Sequence, residues 1–137
     1  MTDTEPTAVP QPLPPAPALW EVVVDCADPA TLGRFYADLL QCELHTFDES
    51  WTWIEPRLRG GGGPDAAGPR IAFQQVPEPK VGKVRLHLDL GADDIAATTA
   101  HALALGATQL TDPQSDSAGR FIVLADPEGH EFCIVDM

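Results

Sequence analysis

The chain has 137 residues, of which 44% are hydrophobic, enough for a single domain with its own core and too few for a multidomain enzyme. Its 21 acidic against 8 basic residues give a formal net charge of -13, which repels phosphate backbones and anionic lipids. We therefore expect neither nucleic acid nor a membrane as partner. In addition, no apolar run approaches the roughly 20 residues needed to span a bilayer. Three cysteines without close pairing, and no signal-peptide pattern, favour free thiols in a reducing, cytoplasmic compartment.

The N-terminal segment is rich in proline. Residues 1–18 contain six of the 14 prolines and few large apolar side chains. Such a composition cannot offset the entropy lost on ordering. We predict a flexible Pro-rich tail at 1–18 and one folded domain at 19–137.

The first half of that domain has the pattern of one strand, one helix and three strands. Alternating polar and apolar residues predict a strand at Trp20–Cys26. Asp28 and Pro29 supply the N-cap and the first-turn proline of an amphipathic helix. Further strands are predicted at about 42–48, 50–56 and 70–76. Gly60–Gly63 lies between the last two, where a mobile hairpin tip or a lid over a cavity is expected.

The second half repeats this plan. Apolar alternation predicts a strand at 84–90, Asp93 and Asp94 begin a helix, and Gly106 ends it. Three strands follow at about 108–110, 120–125 and 131–136. The stretch from Glu21 to Asp28 matches His87 to Asp94, 66 residues later, in its strand alternation and its cap. We infer an α+β domain of two βαβββ modules, at about 19–76 and 84–136.

Four polar side chains occupy related places in these modules. Glu21 and His87 lie on the polar face of each first strand, whereas Gln74 and Glu131 are long polar residues in the apolar last strands. Polar groups directed into a barrel cost a few kcal/mol unless they find partners. These four residues therefore require a metal, a ligand or one another.

The sequence resembles the vicinal oxygen chelate superfamily of glyoxalases, bleomycin-resistance proteins and extradiol dioxygenases, and within it the small glyoxalase-like proteins. The resemblance extends over residues 19 to 136. The segments that carry it are Asp28-Pro29 with Phe35-Tyr36 and Leu39-Leu40, Phe73-Gln74, Arg85 to Leu90, Leu105 to Ala107, and Ala125 to Phe132. It implies an open, cupped barrel whose metal ligands fall here on Glu21, Gln74, His87 and Glu131.

Two positions depart from the family pattern. Glu21 stands where metal-dependent members usually have His or Gln, and Gln41 stands where Gly usually follows the helix. Two carboxylates, an imidazole and an amide suit Mg, Mn, Ni, Co or Zn. An extradiol dioxygenase is disfavoured because its iron needs two histidines, and only His87 stands at a ligand position.

The resemblance favours a lyase or isomerase in which a divalent metal chelates vicinal oxygens of a small molecule, with Glu131 as general base. Arg70 and Arg85 are predicted to attract an anionic substrate, and Trp53 and Phe121 to line its site. The alternative is a metal-free protein that binds a metabolite or antibiotic between such aromatic walls and needs no cofactor. A scaffold or regulatory domain is a third reading, and both a monomer and a homodimer are compatible with the sequence.

Several other polar residues are expected to be ordinary. His45, His101 and His130 are predicted to be solvated, and Cys133 is assigned to packing because no base beside it is visible in the sequence. The choice of Gln74 rather than Gln75 as the inward residue depends on strand register.

Overall fold

The computed structural model describes residues 11–62 and 68–137. The elements of the first module are β1 (Glu21–Cys26), α1 (Pro29–Leu40), β2 (Leu44–Asp48), β3 (Trp51–Ile54), β4 (Arg57–Leu58), β5 (Gly61–Gly62) and β6 (Arg70–Gln75). Those of the second are β7 (Asp89–Ala92), α2 (Ile95–Ala104), β8 (Thr108–Gln109), β9 (Gln114–Asp116), β10 (Gly119–Ala125) and β11 (Glu131–Asp136). Among the described residues, no helix has the length and apolar character to span a membrane.

Each module forms its own open sheet. The strand order is β1-β6-β3-β2 in the first and β7-β11-β10-β8 in the second, with β9 paired to β10. In both sheets the first strand pairs in parallel with the last, while the other pairs are antiparallel. The α+β class and the two βαβββ modules are therefore confirmed, with β1 and β7 as edge strands.

The predicted tail and its boundary stay predictions. Residues 11–20 have no helix or strand and are exposed, while residues 1–10 lie outside the described part of the chain. Gly63, the last residue of the predicted hairpin tip, also lies outside it. Before it, β4 and β5 form a short antiparallel ladder.

Helix α1 begins and ends at residues suited to those positions. The Asp28 side chain accepts hydrogen bonds from the Thr31 amide at 3.2 Å and the Thr31 hydroxyl at 2.7 Å, and Pro29 occupies the first turn. At the other end, Gln41 has a φ of 54° in the left-handed region, where glycine is favoured. The departure from the family pattern at Gln41 is thus a strained helix cap.

The helix approaches the first sheet at Gly33. A β-carbon there would lie 2.7 Å from the Thr52 hydroxyl oxygen and 2.8 Å from a methyl carbon of Leu44. The absence of a side chain lets α1 contact β3 closely, and Thr52 donates a hydrogen bond of 2.8 Å to the Pro29 carbonyl.

One hydrophobic core joins the two modules. Phe35 and Tyr36 of α1 make edge contacts with Phe132 of β11, at 6.0 and 5.8 Å between ring centroids, and Tyr36 stacks on Phe73 of β6 at 5.7 Å. All four rings are buried. Helix α1 therefore packs against strands of both modules, which fixes one module on the other.

The strand predicted at 84–90 is shorter and later in the structure, at Asp89–Ala92. The amide of Val84 donates to the carboxylate of Glu131 at 2.8 Å instead of to a neighbouring strand. Residues 77–88 consequently have no regular secondary structure.

Candidate functional site

The two faces of each sheet differ in character. Thr52 and Phe73 lie beneath Gly33 of α1, so the alternate residues of β3 and β6 lie on the opposite face, here called the open face. In the second sheet Phe132 and Ile134 are in the core, so Glu131 and Cys133 of β11 lie on its open face. The predicted site residues Glu21, Gln74 and Glu131 fall on these open faces.

A row of four side chains crosses the open face of the first sheet, one from each strand. The Glu21 carboxylate lies 3.6 Å from Nε of Arg70, whose guanidinium lies 4.8 Å from the centroid of the Trp53 ring. Trp53 also stacks on His45, with 5.2 Å between centroids. The predicted solvated position of His45 is therefore wrong, because cross-strand stacking makes it half-buried.

This row determines the chemistry of Glu21. Oε2 of Glu21 and Nε of Arg70 are buried and make no hydrogen bond, since 3.6 Å exceeds hydrogen-bonding distance. Arg70 nevertheless neutralises the charge of the carboxylate. A metal ion at Glu21 would have to compete with a fixed guanidinium.

Glu131 is also engaged. One carboxylate oxygen lies 2.8 Å from Nζ of Lys80, and the other accepts the Val84 amide at 2.8 Å. These hydrogen bonds, with that from Lys80 first, lower the pKa of the Glu131 carboxyl below its usual value. A carboxylate with a lowered pKa is a weaker general base. Its predicted catalytic role stays a prediction.

Gln74 is exposed and pairs in register with Asp25 of β1 and Trp51 of β3. Its neighbour Gln75 donates instead to the Ala27 carbonyl at 3.3 Å. The choice of Gln74 as the open-face residue therefore agrees with the register.

When the two modules are aligned by the register of their paired strands, Gln74 and Glu131 do not fall at equivalent positions, in contrast to the match made from the sequence. Asp89 lies opposite Cys133, and its counterpart 66 residues earlier, Val23, lies opposite Ala72. By this register Glu131 corresponds to Arg70, and Gln74 corresponds to Val135. The match of Gln74 with Glu131 is wrong, because alternation fixes the face of a residue but not its position along the strand.

The remaining predicted ligand, His87, lies beside two other potential ligands. Nε2 of His87 is 3.2 Å from Oδ1 of Asp89, and the ligand atoms of His87, Asp89 and Cys133 all lie within 4.8 Å of one another. His87 and Asp89 are exposed and Cys133 is half-buried. Desolvation, and then the charge of Asp89, raise the pKa of the Cys133 thiol. Among the residues that the structure describes, this trio is the group of three donors close enough to share one metal ion.

Asp89 and Cys133 were not among the predicted site residues. Each follows a predicted ligand by two positions on the same face, Asp89 after His87 and Cys133 after Glu131. That spacing was visible in the sequence. Their proximity was not, because it depends on the parallel pairing of β7 with β11.

A cavity of about 400 Å³ lies between the modules. Its apolar lining includes Val22, Val24, Tyr36, Val84, Leu86 and Leu88. Arg85, one predicted substrate-binding residue, and Glu131 also line it. Trp53 and Phe121 are not among its described lining residues. They are half-buried on the open faces of β3 and β10.

A hydrogen-bonded network closes one side of this cavity. The buried carboxylate of Asp126 accepts the Tyr36 hydroxyl at 2.7 Å and lies 3.0 Å from Nδ1 of His130. The pKa of His130 is raised, mainly by its hydrogen bond to Asp126. Burial acts in the opposite direction but is outweighed. Glu128 accepts the amides of Ala27 and Asp28 at 2.6 and 2.9 Å. The prediction that His130 is solvated is wrong, because the turn at residues 126–130 folds it onto a buried carboxylate.

Comparisons with known proteins agree with this architecture. No curated protein matches the sequence. A family enzyme of the glyoxalase, bleomycin resistance and dioxygenase group from Burkholderia phytofirmans PsJN superposes with a TM-score of 0.69 at 17% identity, covering 88% of this chain and 98% of that one. At these identities the likeness shows the fold.

Two further solved structures carry functional names. A mutant of the fosfomycin resistance protein FosX from Listeria monocytogenes, complexed with Mn(II) and 1S,2S-dihydroxypropylphosphonic acid, has a TM-score of 0.66 at 15% identity and covers 86% of this chain and 88% of that one. A glyoxalase I mutant from Zea mays has a TM-score of 0.64 at 16% identity, covering 86% of this chain and 44% of that one.

The sequence pattern of the glyoxalase-like domain family matches residues 21–135, which include both helices, every strand except the last residue of β11, and every residue of the sites described above. This chain therefore belongs to the glyoxalase-like domain family.

Proposed function

We propose that the chain is a glyoxalase-like enzyme of the lyase or isomerase type, which acts on a small molecule with the help of a divalent metal held by His87, Asp89 and Cys133. The observation that carries this proposal is the convergence of an imidazole, a carboxylate and a thiol within 4.8 Å on two paired strands. Family membership supports small-molecule chemistry in general. It leaves the substrate open.

The donor set suits a transition metal. Three protein ligands leave coordination positions open, as in catalytic zinc sites. A thiolate beside an imidazole favours Zn, Co or Ni over Mg, which prefers oxygen ligands. Ligands to one ion at metal–ligand distances of about 2.0–2.3 Å lie closer together than 4.8 Å, so the side chains need only a modest contraction.

The four-residue set predicted from the resemblance fits less well. Arg70 neutralises Glu21 and Lys80 neutralises Glu131, and each of those carboxylates would have to leave its partner to bind an ion. His87 is shared by both sets. The two sets make opposite predictions for changes at Glu21 and Cys133.

In the proposed enzyme the bound ion would supply Lewis-acid polarisation of two neighbouring substrate oxygens. The chain itself supplies the rest. The aliphatic lining from β1 and the segment before β7 excludes water from a bound small molecule, and Arg85 provides a positive charge at its wall. Glu131 lines that cavity and lies on the same face of β11 as Cys133.

A metal-free binding protein is the second candidate. The pairing of Glu21 with Arg70 and of Glu131 with Lys80 favours it, because a cation balances the charge of each carboxylate without a metal. On that reading the apolar walls of the cavity carry the affinity.

Metal stoichiometry separates these possibilities. The purified protein is stripped with a chelator, incubated in turn with Mg, Mn, Co, Ni and Zn, desalted and analysed for bound metal. We expect about one Zn, Co or Ni per chain, a loss in His87→Ala, and retention in the control His101→Ala. Glu21→Gln should also retain the metal. Loss of metal in Glu21→Gln with retention in Cys133→Ser would favour the four-residue set, and no stoichiometric metal in any form would favour the binding protein.

A further inference from the structure

Within the described part of the chain, the polar contacts of the segment that connects the modules, residues 77–86, with the rest of the protein are made to a single side chain, that of Glu131. Within the described residues, the hydrogen bonds and ion pairs that join this segment to other elements both end on the Glu131 carboxylate, one from Lys80 Nζ and one from the Val84 amide. Backbone hydrogen bonds to other strands occur just before and just after this segment. The Val76 amide donates to the Cys26 carbonyl, and the Cys133 amide donates to the Leu88 carbonyl. The polar attachment of residues 77–86, here called the strap, therefore depends on one carboxylate.

The attachment is partly shielded from water, whereas the strap is not packed into the core. The side chains of Lys80 and Glu131 retain only 23% and 16% of their exposure. Val81 and Leu86 of the strap are 87% and 70% exposed. An ion pair in such a place is less screened than one on the surface, while the chain around it gains little from burial.

The same strap forms a wall of the cavity between the modules. Glu78, Pro79, Lys80, Val84, Arg85 and Leu86 line that cavity from one side. β1 and the turn that carries Asp126 and His130 supply most of the remaining lining. Displacement of the strap would therefore remove six residues from the lining of the cavity and expose it further to solvent.

We propose that Glu131 is a latch that holds residues 77–86 as a lid over the cavity, and that release of Lys80 and Val84 from its carboxylate opens the lid to admit a small molecule. This inference rests on the proposed function only in taking the cavity as the ligand site. It makes Glu131 a positioning residue. The strap, rather than the glycine-rich hairpin near residue 60, is then the segment that gates access.

The position of Glu131 explains how one side chain can hold residues 77–86 in place. It is the first residue of β11, and Lys80 and Val84 are four residues apart on the strap. Its two oxygens each take one of them, so that the turn between them, which contains Gly82 at a φ of +74°, is pinned at both ends. The bond from Lys80 Nζ to the Gly82 carbonyl closes this turn from within.

Hydrogen exchange of the full chain, followed by mass spectrometry without metal or ligand, tests the latch. Glu131→Ala removes both acceptors, and in peptides covering 77–86 we expect the Val84 amide, which donates to Glu131, to exchange about tenfold faster or more. Glu131→Gln keeps one acceptor and should have a smaller effect. Lys80→Met removes the ion pair together with the bond to the Gly82 carbonyl and should resemble Glu131→Gln, whereas Val81→Ala, at a position of the strap that is 87% exposed, is the matched control.

Peptides of α1 and β10 report whether each variant remains folded, and they should exchange as in the unmodified protein. Unchanged exchange of residues 77–86 in both Glu131→Ala and Lys80→Met, with α1 and β10 protected, would overturn the latch. Equal acceleration in Val81→Ala and Lys80→Met would also overturn it. Because the readout needs no metal, the latch and the proposed metal chemistry can fail separately.

Discussion

The hydroxyl of Tyr36 in α1 donates a hydrogen bond of 2.7 Å to the buried carboxylate of Asp126, which lies 90 residues later in the other module. Burial, followed by the charge of Asp126, raises the pKa of Tyr36, so the tyrosine remains a donor at neutral pH. With the contact of Tyr36 and Phe132, this bond ties the first helix to the second sheet.

Removal of that donor should weaken the junction between the modules. We expect Tyr36→Phe to lower the free energy of unfolding by about 1–3 kcal/mol, because a buried acceptor loses a partner while the ring remains. Urea unfolding at neutral pH measures the loss. A double-mutant cycle with Asp126→Asn should show coupling between the two positions, and strictly additive losses would contradict the direct link.

The contact of His130 with Asp126 predicts a pH dependence. A raised folded-state pKa means that this pair stabilises the fold fully below the unfolded pKa of about 6.5, and that the contribution is lost as pH rises through the folded value. The difference in unfolding free energy between the unmodified protein and His130→Gln should therefore shrink as pH rises above about 6.5. His101→Gln, at an exposed helix position, serves as the control, and a difference that grows with pH would contradict the assignment.

The left-handed cap at Gln41 predicts a stabilising substitution. Gln41→Gly should raise the free energy of unfolding by about 0.5–1 kcal/mol, because glycine adopts a φ of 54° without a β-carbon penalty. Thermal unfolding measures the gain. Gln41→Ala, which keeps the β-carbon, should show no comparable increase, and equal gains in both variants would point to another cause.

The close approach of α1 to its sheet predicts the opposite effect at Gly33. A β-carbon would meet Thr52 at 2.7 Å and Leu44 at 2.8 Å, both packed side chains, so Gly33→Ala should cost about 1–3 kcal/mol. Urea unfolding tests this expectation. Arg34→Ala on the exposed neighbouring position should change stability little, and a neutral Gly33→Ala would mean that the helix can shift.

The fold followed from the sequence because its signals are local. Asp28 and Asp94 each cap a helix as predicted, and the alternation of β1 and β11 placed Glu21 and Glu131 on the open faces. The internal repeat with an offset of 66 residues then predicted two modules with the same order of strands and helix.

The candidate site was less predictable because it depends on register and on long-range partners. Periodicity cannot show that Arg70 would neutralise Glu21, or that Lys80 would reach Glu131 from the segment between the strands predicted at 70–76 and 84–90. Nor can it show that Asp89 pairs with Cys133 across two parallel strands. His130 was misjudged for the same reason, since its partner Asp126 is buried by Tyr36 from the other module.

The ligation of a metal by Cys133 is the central claim, and the absorption spectrum of the cobalt-loaded protein tests it most directly. A thiolate bound to Co(II) gives an intense charge-transfer band in the near ultraviolet. We predict this band in the unmodified protein and in Cys42→Ser, and its loss in Cys133→Ser with the fold retained. Stoichiometric cobalt without the band, or a band that survives in Cys133→Ser, would contradict the account.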